Sequence, residues 1–141
     1  MQGSMKTVVL LAVTLLVALA ALTYAGTSVA ATTSCSDLSY LTSAVKATKK
    51  NVAALKLAKR SRWSAALVPA NQALWIAKHS AQPCDEGTDD YWLHRQYSIK
   101  YDVALVRYLE EMKQGDYDRA DIYWSSVEFW GDEITDITYG W

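Results

Sequence analysis

The chain has 141 residues, of which 51% are hydrophobic and 21% are charged, and its formal net charge is −1. This length suits one domain with a short appendage, and the even charge balance excludes a generic nucleic-acid binder. The apolar content is too high for an intrinsically disordered chain.

Residues 1–31 have the pattern of a secretory signal peptide. Lys6 precedes an uncharged apolar run over residues 7–22, and small residues that suit cleavage follow at positions 28–31. An uncleaved membrane anchor over residues 7–31 is the alternative, because about 20 apolar residues suffice to span a bilayer. Both interpretations predict a secreted, periplasmic or otherwise extracytoplasmic location for the domain over residues 32–141, with a membrane contacted only through the anchor.

The domain divides into a basic part and an acidic part. Residues 32–82 carry eight basic side chains against one acidic side chain, whereas residues 83–141 carry five basic against fourteen acidic. This separation predicts either that the two parts attract each other or that they attract different partners.

Four amphipathic segments predict an all-α fold. Apolar side chains recur every three or four residues over about 37–60, 63–81, 89–113 and 116–137. Ser36 is an N-cap for the first segment, Pro69 predicts a kink or the true start of the second, and Gly115 ends the third. No stretch alternates with the period of a strand. We therefore expect a four-helix bundle built from two antiparallel αα-hairpins, preceded by the signal peptide or anchor helix.

The turn between the third and fourth segments resembles that of a tetratricopeptide repeat. Over residues 113–124, Gly115 occupies the turn, and Tyr117 and Ala120 begin the next helix. The resemblance implies helical hairpins. A similar turn occurs at Ser61, but the two turns lie 54 residues apart, whereas that family repeats at 34. A peptide-binding superhelix needs three or more repeats, for which the chain has no room.

The two cysteines of the domain, Cys35 and Cys84, predict one structural disulfide. An even cysteine count in an exported domain favours a bridge. With a turn near Ser61, antiparallel helices bring both cysteines to the same end, where the bridge clamps the first hairpin. No Cys-x-x-Cys motif supports a redox role.

Two histidines with nearby acids form a candidate metal site. His79 ends the second segment, His94 and Asp90 lie in the first turns of the third, and Glu86 lies in the loop between them. Imidazole and carboxylate groups suit zinc or another divalent ion. The spacing matches no recognised ligand motif, so a solvated loop in which Asp90 caps the helix or pairs with His94 is the alternative. We expect no cofactor, since no haem-attachment motif is present.

Twelve of the fifteen aromatic residues after position 31 lie in the acidic part. They are too many for one core stripe, and exposed Tyr and Trp mark interaction surfaces. The predicted surface comprises Trp92, Tyr97, Tyr101, Tyr108, Tyr123 and Trp130. The alternative is that large rings fill the volume opposite the alanine face of the second helix.

These patterns predict an exported, non-enzymatic protein that binds a protein or a cell-surface component through its third and fourth helices. The chain has neither a nucleophile elbow nor a phosphate-binding glycine loop, and we expect no nucleic-acid partner. A small-ligand or metal carrier is the alternative function, and an enzyme is less favoured.

Overall fold

A computed structural model describes residues 35–84 and 90–138. The predicted signal peptide or anchor, the loop over residues 85–89 and the last three residues lie outside the described residues. Within the described ranges, no helix is both long and apolar enough to cross a membrane.

The described residues form four helices and no strand, which confirms the predicted all-α bundle. The helices are α1 (Asp37–Ala58), α2 (Trp63–His79), α3 (Asp90–Gln114) and α4 (Tyr117–Thr138). Each end lies within two residues of the end predicted from periodicity. Pro69 lies inside α2 and does not mark its start.

Local signals set the start of α1 and the two tight turns between helices. Ser36 is extended, and its side chain accepts a hydrogen bond from the Ser39 backbone amide. The Asp116 carboxylate accepts from the backbone amide of Arg119 at 3.1 Å and caps the start of α4. Gly115 has a φ of 82°, which glycine adopts without steric cost. Ser61 adopts the same left-handed region at the first turn, with a φ of 54°.

The helices pack in chain order, α1 on α2, α2 on α3 and α3 on α4, with only a thin contact between α1 and α3. In the described part of the chain, no Cα atom of α1 lies within 8 Å of a Cα atom of α4. The side of the bundle between α1 and α4 therefore lacks close backbone packing.

The core combines a small-residue face with large neighbours. On α2, Ala66, Ala70 and Ala73 have at most 1% of their surface exposed, so the backbone of α2 lies close to α1 and α3. On α3, Leu105 and Leu109 are fully buried. They supply the core volume that the alanines leave open.

The predicted cysteine pair is confirmed at the end of the first hairpin. The Cys35 and Cys84 sulfurs lie at bonding distance, with their Cα atoms 4.7 Å apart. The Ser36 amide donates to the Gln82 carbonyl at 3.2 Å, and the Cys84 amide donates to the Asp37 carboxylate at 2.9 Å. Such a pair is consistent with an extracytoplasmic location.

Replacing both cysteines by serine should lower the free energy of unfolding by about 4 kcal/mol, because the bridge closes a loop with a sequence separation of 49 and limits the entropy of the unfolded chain. Urea unfolding followed by circular dichroism measures the loss. A reductant should produce the same loss in the wild type and none in the double variant. A wild-type midpoint that does not respond to reductant would contradict the bridge.

Candidate functional site

A partly enclosed cleft of about 50 Å³ lies between α1, α3 and α4 at the disulfide end of the bundle. One ordered water needs about 10–15 Å³ of such a volume. The cleft therefore has room for several waters or for the end of a small ligand. Its lining is mostly apolar: α1 contributes Leu41 and Val45, α2 contributes Ala77 and α4 contributes Ile134.

A buried polar pair joins α1 to α3 in the wall of this cleft. Asn51 is 7% exposed and Asp102 is 1% exposed. The Asn51 Nδ2 group donates to Asp102 Oδ1 at 2.6 Å. The other two side-chain oxygens, Asn51 Oδ1 and Asp102 Oδ2, have no hydrogen-bond partner among the described residues. A buried acceptor without a partner costs about 1–3 kcal/mol, so the pair offers two acceptors that a ligand would satisfy.

The carboxyl group of this pair titrates far from its ordinary range. Burial raises the pKa of Asp102 to about 7, although the hydrogen bond from Asn51 acts in the opposite direction. Desolvation disfavours the charged carboxylate more than one neutral donor stabilises it. Asp102 therefore exchanges its proton near neutral pH.

Tyr40 and His94 form a second polar contact in the cleft, between α1 and α3. The Tyr40 hydroxyl lies 2.5 Å from His94 Nδ1. Burial raises the pKa of the Tyr40 phenol and lowers the pKa of His94 to about 4. At pH 7 the phenol is protonated and the imidazole is neutral, so the two groups share one hydrogen bond whose direction depends on the tautomer of His94. The Ser98 hydroxyl lies 3.4 Å from the same nitrogen.

Three of the four predicted metal ligands, His79, His94 and Asp90, are among the described residues, and they do not form a group that could hold a metal. His79 is exposed, stacks on the Trp75 ring at 4.4 Å and bonds through Nδ1 to the Trp75 carbonyl oxygen at 2.8 Å. His94 contacts Tyr40, and Asp90 is exposed at the start of α3. The described ranges contain no group of three or more His, Cys, Asp or Glu that could hold a metal. Glu86 lies outside them, so the metal site stays a prediction.

The predicted aromatic surface is largely packed within the fold. Tyr101 is 2% exposed and belongs to the core, so its side chain offers no surface to a partner. Tyr97 packs on Trp130 with ring centroids 5.3 Å apart, and Tyr108 packs on Trp124 at 4.9 Å. The remaining two residues, Trp92 and Tyr123, are half-buried. Within residues 35–84 and 90–138, the large exposed rings are instead those of Trp75, Tyr117 and Phe129.

The sequence patterns did not identify Asn51, Asp102 or Tyr40 as site residues. Asn51 and Asp102 are nevertheless recognisable in the sequence as polar residues on apolar helix faces. Asn51 interrupts the buried face of α1 three residues before Ala54, and Asp102 interrupts that of α3 three residues before Leu105. A polar residue on an apolar stripe needs a partner when buried. Pairing the two interruptions would have located the cleft.

Comparison with known proteins finds no matching family, no matching curated protein and no matching solved structure.

The two titrating groups of the cleft should give opposite slopes of stability against pH. Asp102 has a pKa of about 7 when folded against an ordinary value of 3.8. The folded state then binds more protons than the unfolded state, and stability falls as pH rises through this window. The pKa of His94 is about 4 when folded against 6.5. Its contribution is complete above pH 6.5 and is lost as pH falls towards 4.

Single variants should separate these slopes. In Asp102→Asn, His94 remains as the titrating group, so the free energy of unfolding should rise from pH 4 to 6.5. Above pH 7 it should exceed that of the wild type. In His94→Gln, Asp102 remains as the titrating group, so the free energy of unfolding should fall from pH 4 to 7. Urea midpoints measured at unit pH steps test both, and two profiles of the same slope would refute this account.

Proposed function

We propose that the protein is an exported carrier of a small organic ligand, which binds in the cleft between α1 and α4. The observation that supports this most directly is the pair of buried acceptor oxygens at Asn51 and Asp102, which have no partner among the described residues. Apolar walls with a few convergent polar groups are the usual composition of a small-molecule site.

Export is part of this proposal. The uncharged apolar run over residues 7–22 supports it, and the cysteine pair is consistent with an oxidising compartment. The apolar run itself lies outside the described residues.

The Tyr40–His94 pair of the cleft is unsuited to acid–base catalysis near neutral pH, whereas Asp102, whose pKa is about 7, does titrate there. A nucleophile or general base needs a pKa near the working pH. Burial raises the pKa of Tyr40 and lowers that of His94 to about 4, so neither group changes its protonation state near neutrality. Their hydrogen bond instead fixes the orientation of the Tyr40 ring in the wall of the cleft.

Filling the cleft should abolish ligand binding without unfolding the protein. Ala44 is half-buried on α1 and lines the cleft, so the larger side chain of Ala44→Leu would occupy the ligand's space. A ligand at 100 times its dissociation constant adds about 2.7 kcal/mol of stability. A thermal-shift screen of small amphiphilic compounds should therefore stabilise the wild type by several degrees and leave Ala44→Leu unchanged.

The matched control is Ala53→Leu, on the same helix, where a half-buried alanine does not line the cleft. It should respond to ligands as the wild type does. A screen in which no compound stabilises the wild type, or in which Ala44→Leu is stabilised equally, would refute the carrier function.

A second candidate function is binding of a protein or cell-surface component through the outer face of α4. Ile122 and Phe129 are 66% and 54% exposed, and their spacing of seven residues places them on one helix face. Exposed apolar side chains on one helix face mark an interaction surface where they form a contiguous patch.

Replacing both Ile122 and Phe129 by serine should release a partner that co-purifies with the wild type, because the contact would lose its apolar anchors. Mass spectrometry of affinity-purified protein from the native source measures partner retention. Val103→Ser, which changes an exposed apolar residue on α3, is the control and should retain the partner. If the double variant retains the partner as well as Val103→Ser does, the outer face of α4 is not the binding surface.

A further inference from the structure

Two buried acceptors without donors belong to residues that line the cleft. The Asn51 amide nitrogen is already used, because it donates to Asp102 Oδ1 at 2.6 Å. When Asp102 is ionised, the two remaining oxygens of the pair are both acceptors, and neither has a partner in the part of the chain that the structure describes. A group that satisfies both must carry at least two hydrogen-bond donors.

The charges around the cleft favour a cation at this point. Asp102 and Arg95 are the strongly charged side chains that line it. The Arg95 guanidinium is held towards the C-terminal end of α2, where it donates to Ser80 Oγ at 3.2 Å and to the Lys78 carbonyl oxygen at 3.1 Å. The Asp102 carboxylate lacks a cationic partner among the described residues. A buried carboxylate gains most from a ligand of opposite charge.

The aromatic rings of the cleft also favour a cationic ligand. Tyr40 and Tyr101 line the same cleft and are each 2% exposed. Ring faces attract cations, and the attraction is stronger where water is excluded. An ammonium group with an apolar body would therefore match both the polar end and the walls of the cleft.

Resting on the carrier function proposed above, we infer that the ligand is a primary amine, whose ammonium group donates to Asn51 Oδ1 and Asp102 Oδ2 while its apolar body occupies the cleft. A carboxylic acid would place like charges together. An alcohol has a single donor and would leave one acceptor without a partner. A metal ion would need more ligands than the described residues bring together here.

Amine binding should release a proton from the cleft. Asp102 holds its proton up to about pH 7 because it is buried, and an ammonium group beside it favours the charged carboxylate. The ionisable groups that line the cleft with it are Tyr40 from α1 and His94, Arg95 and Tyr101 from α3. The described lining residues of α2 and α4 are Ala77, Ser80, Ile134 and Thr138, and none of these ionises. The proton therefore comes from Asp102 and passes to the buffer.

Matched probes test this inference on the full domain with its cysteine bridge intact. Butylamine, hexylamine and 2-phenylethylamine are compared with the alcohols of the same carbon skeleton by calorimetry at pH 8. At least one amine should bind about tenfold or more tightly than its alcohol, as expected for a hydrogen bond to a charged group. Asp102→Asn should remove this preference, because amine binding loses its charged acceptor and weakens by about tenfold or more.

Glu111→Gln is the matched control. Glu111 is also a buried acid, with Oε2 unpartnered among the described residues, but it does not line the cleft. It should keep the amine preference. If Asp102→Asn does not fold, wild-type calorimetry at pH 6 in two buffers of different ionisation enthalpy replaces it. Amine binding should then release close to one proton, and alcohol binding none.

The outcomes separate the two proposals. If other compounds stabilise the wild type but not Ala44→Leu, and no amine exceeds its alcohol, the amine inference is wrong and the carrier function stands. If no compound of any class stabilises the wild type, both are wrong. Equal amine binding by the wild type and Asp102→Asn would also overturn the inference.

Discussion

The alanine face of α2 is the constraint on which the rest of the structure depends. Ala66, Ala70 and Ala73 are almost fully buried, and their small side chains let α2 lie close to α1 on one side and to α3 on the other. The volume of the core must then come from α3, through Leu105 and Leu109. Among the described residues, α2 separates α1 from most of α3, and the close backbone contacts of α4 are with α3. Part of the side between α1 and α4 therefore stays open.

The cleft is a consequence of that open side. Towards the disulfide end, the space contains a carboxylate–amide pair where the rest of the bundle has apolar contacts. Burying Asp102 is unfavourable, which is why its pKa rises to about 7. A local cost of this kind is typical of functional positions, where a protein departs from the packing rules that the rest of its sequence follows.

The charge separation between the two parts of the domain is not neutralised by ion pairs. Within the described residues, the ion pairs are Arg107–Glu110 and Arg119–Glu111, and both lie inside the acidic part. The lysines of α1 make no ion pair with α3 or α4 in these ranges. The sequence asymmetry therefore persists as surfaces of opposite charge, since helices that pack through apolar faces direct their charged side chains outward.

The sequence by itself determined the four helices, their ends and the cysteine pair, because each depends on local rules. Period, caps and the turn at Gly115 act within a few residues, and an antiparallel hairpin brings Cys35 to Cys84. Only the tertiary structure decided that Asn51 meets Asp102, which lies 51 residues away, and that Tyr101 is buried while Phe129 is exposed. Periodicity assigns a residue to a face, but contact between helices also depends on their separation, rotation and register, which packing of the whole core fixes.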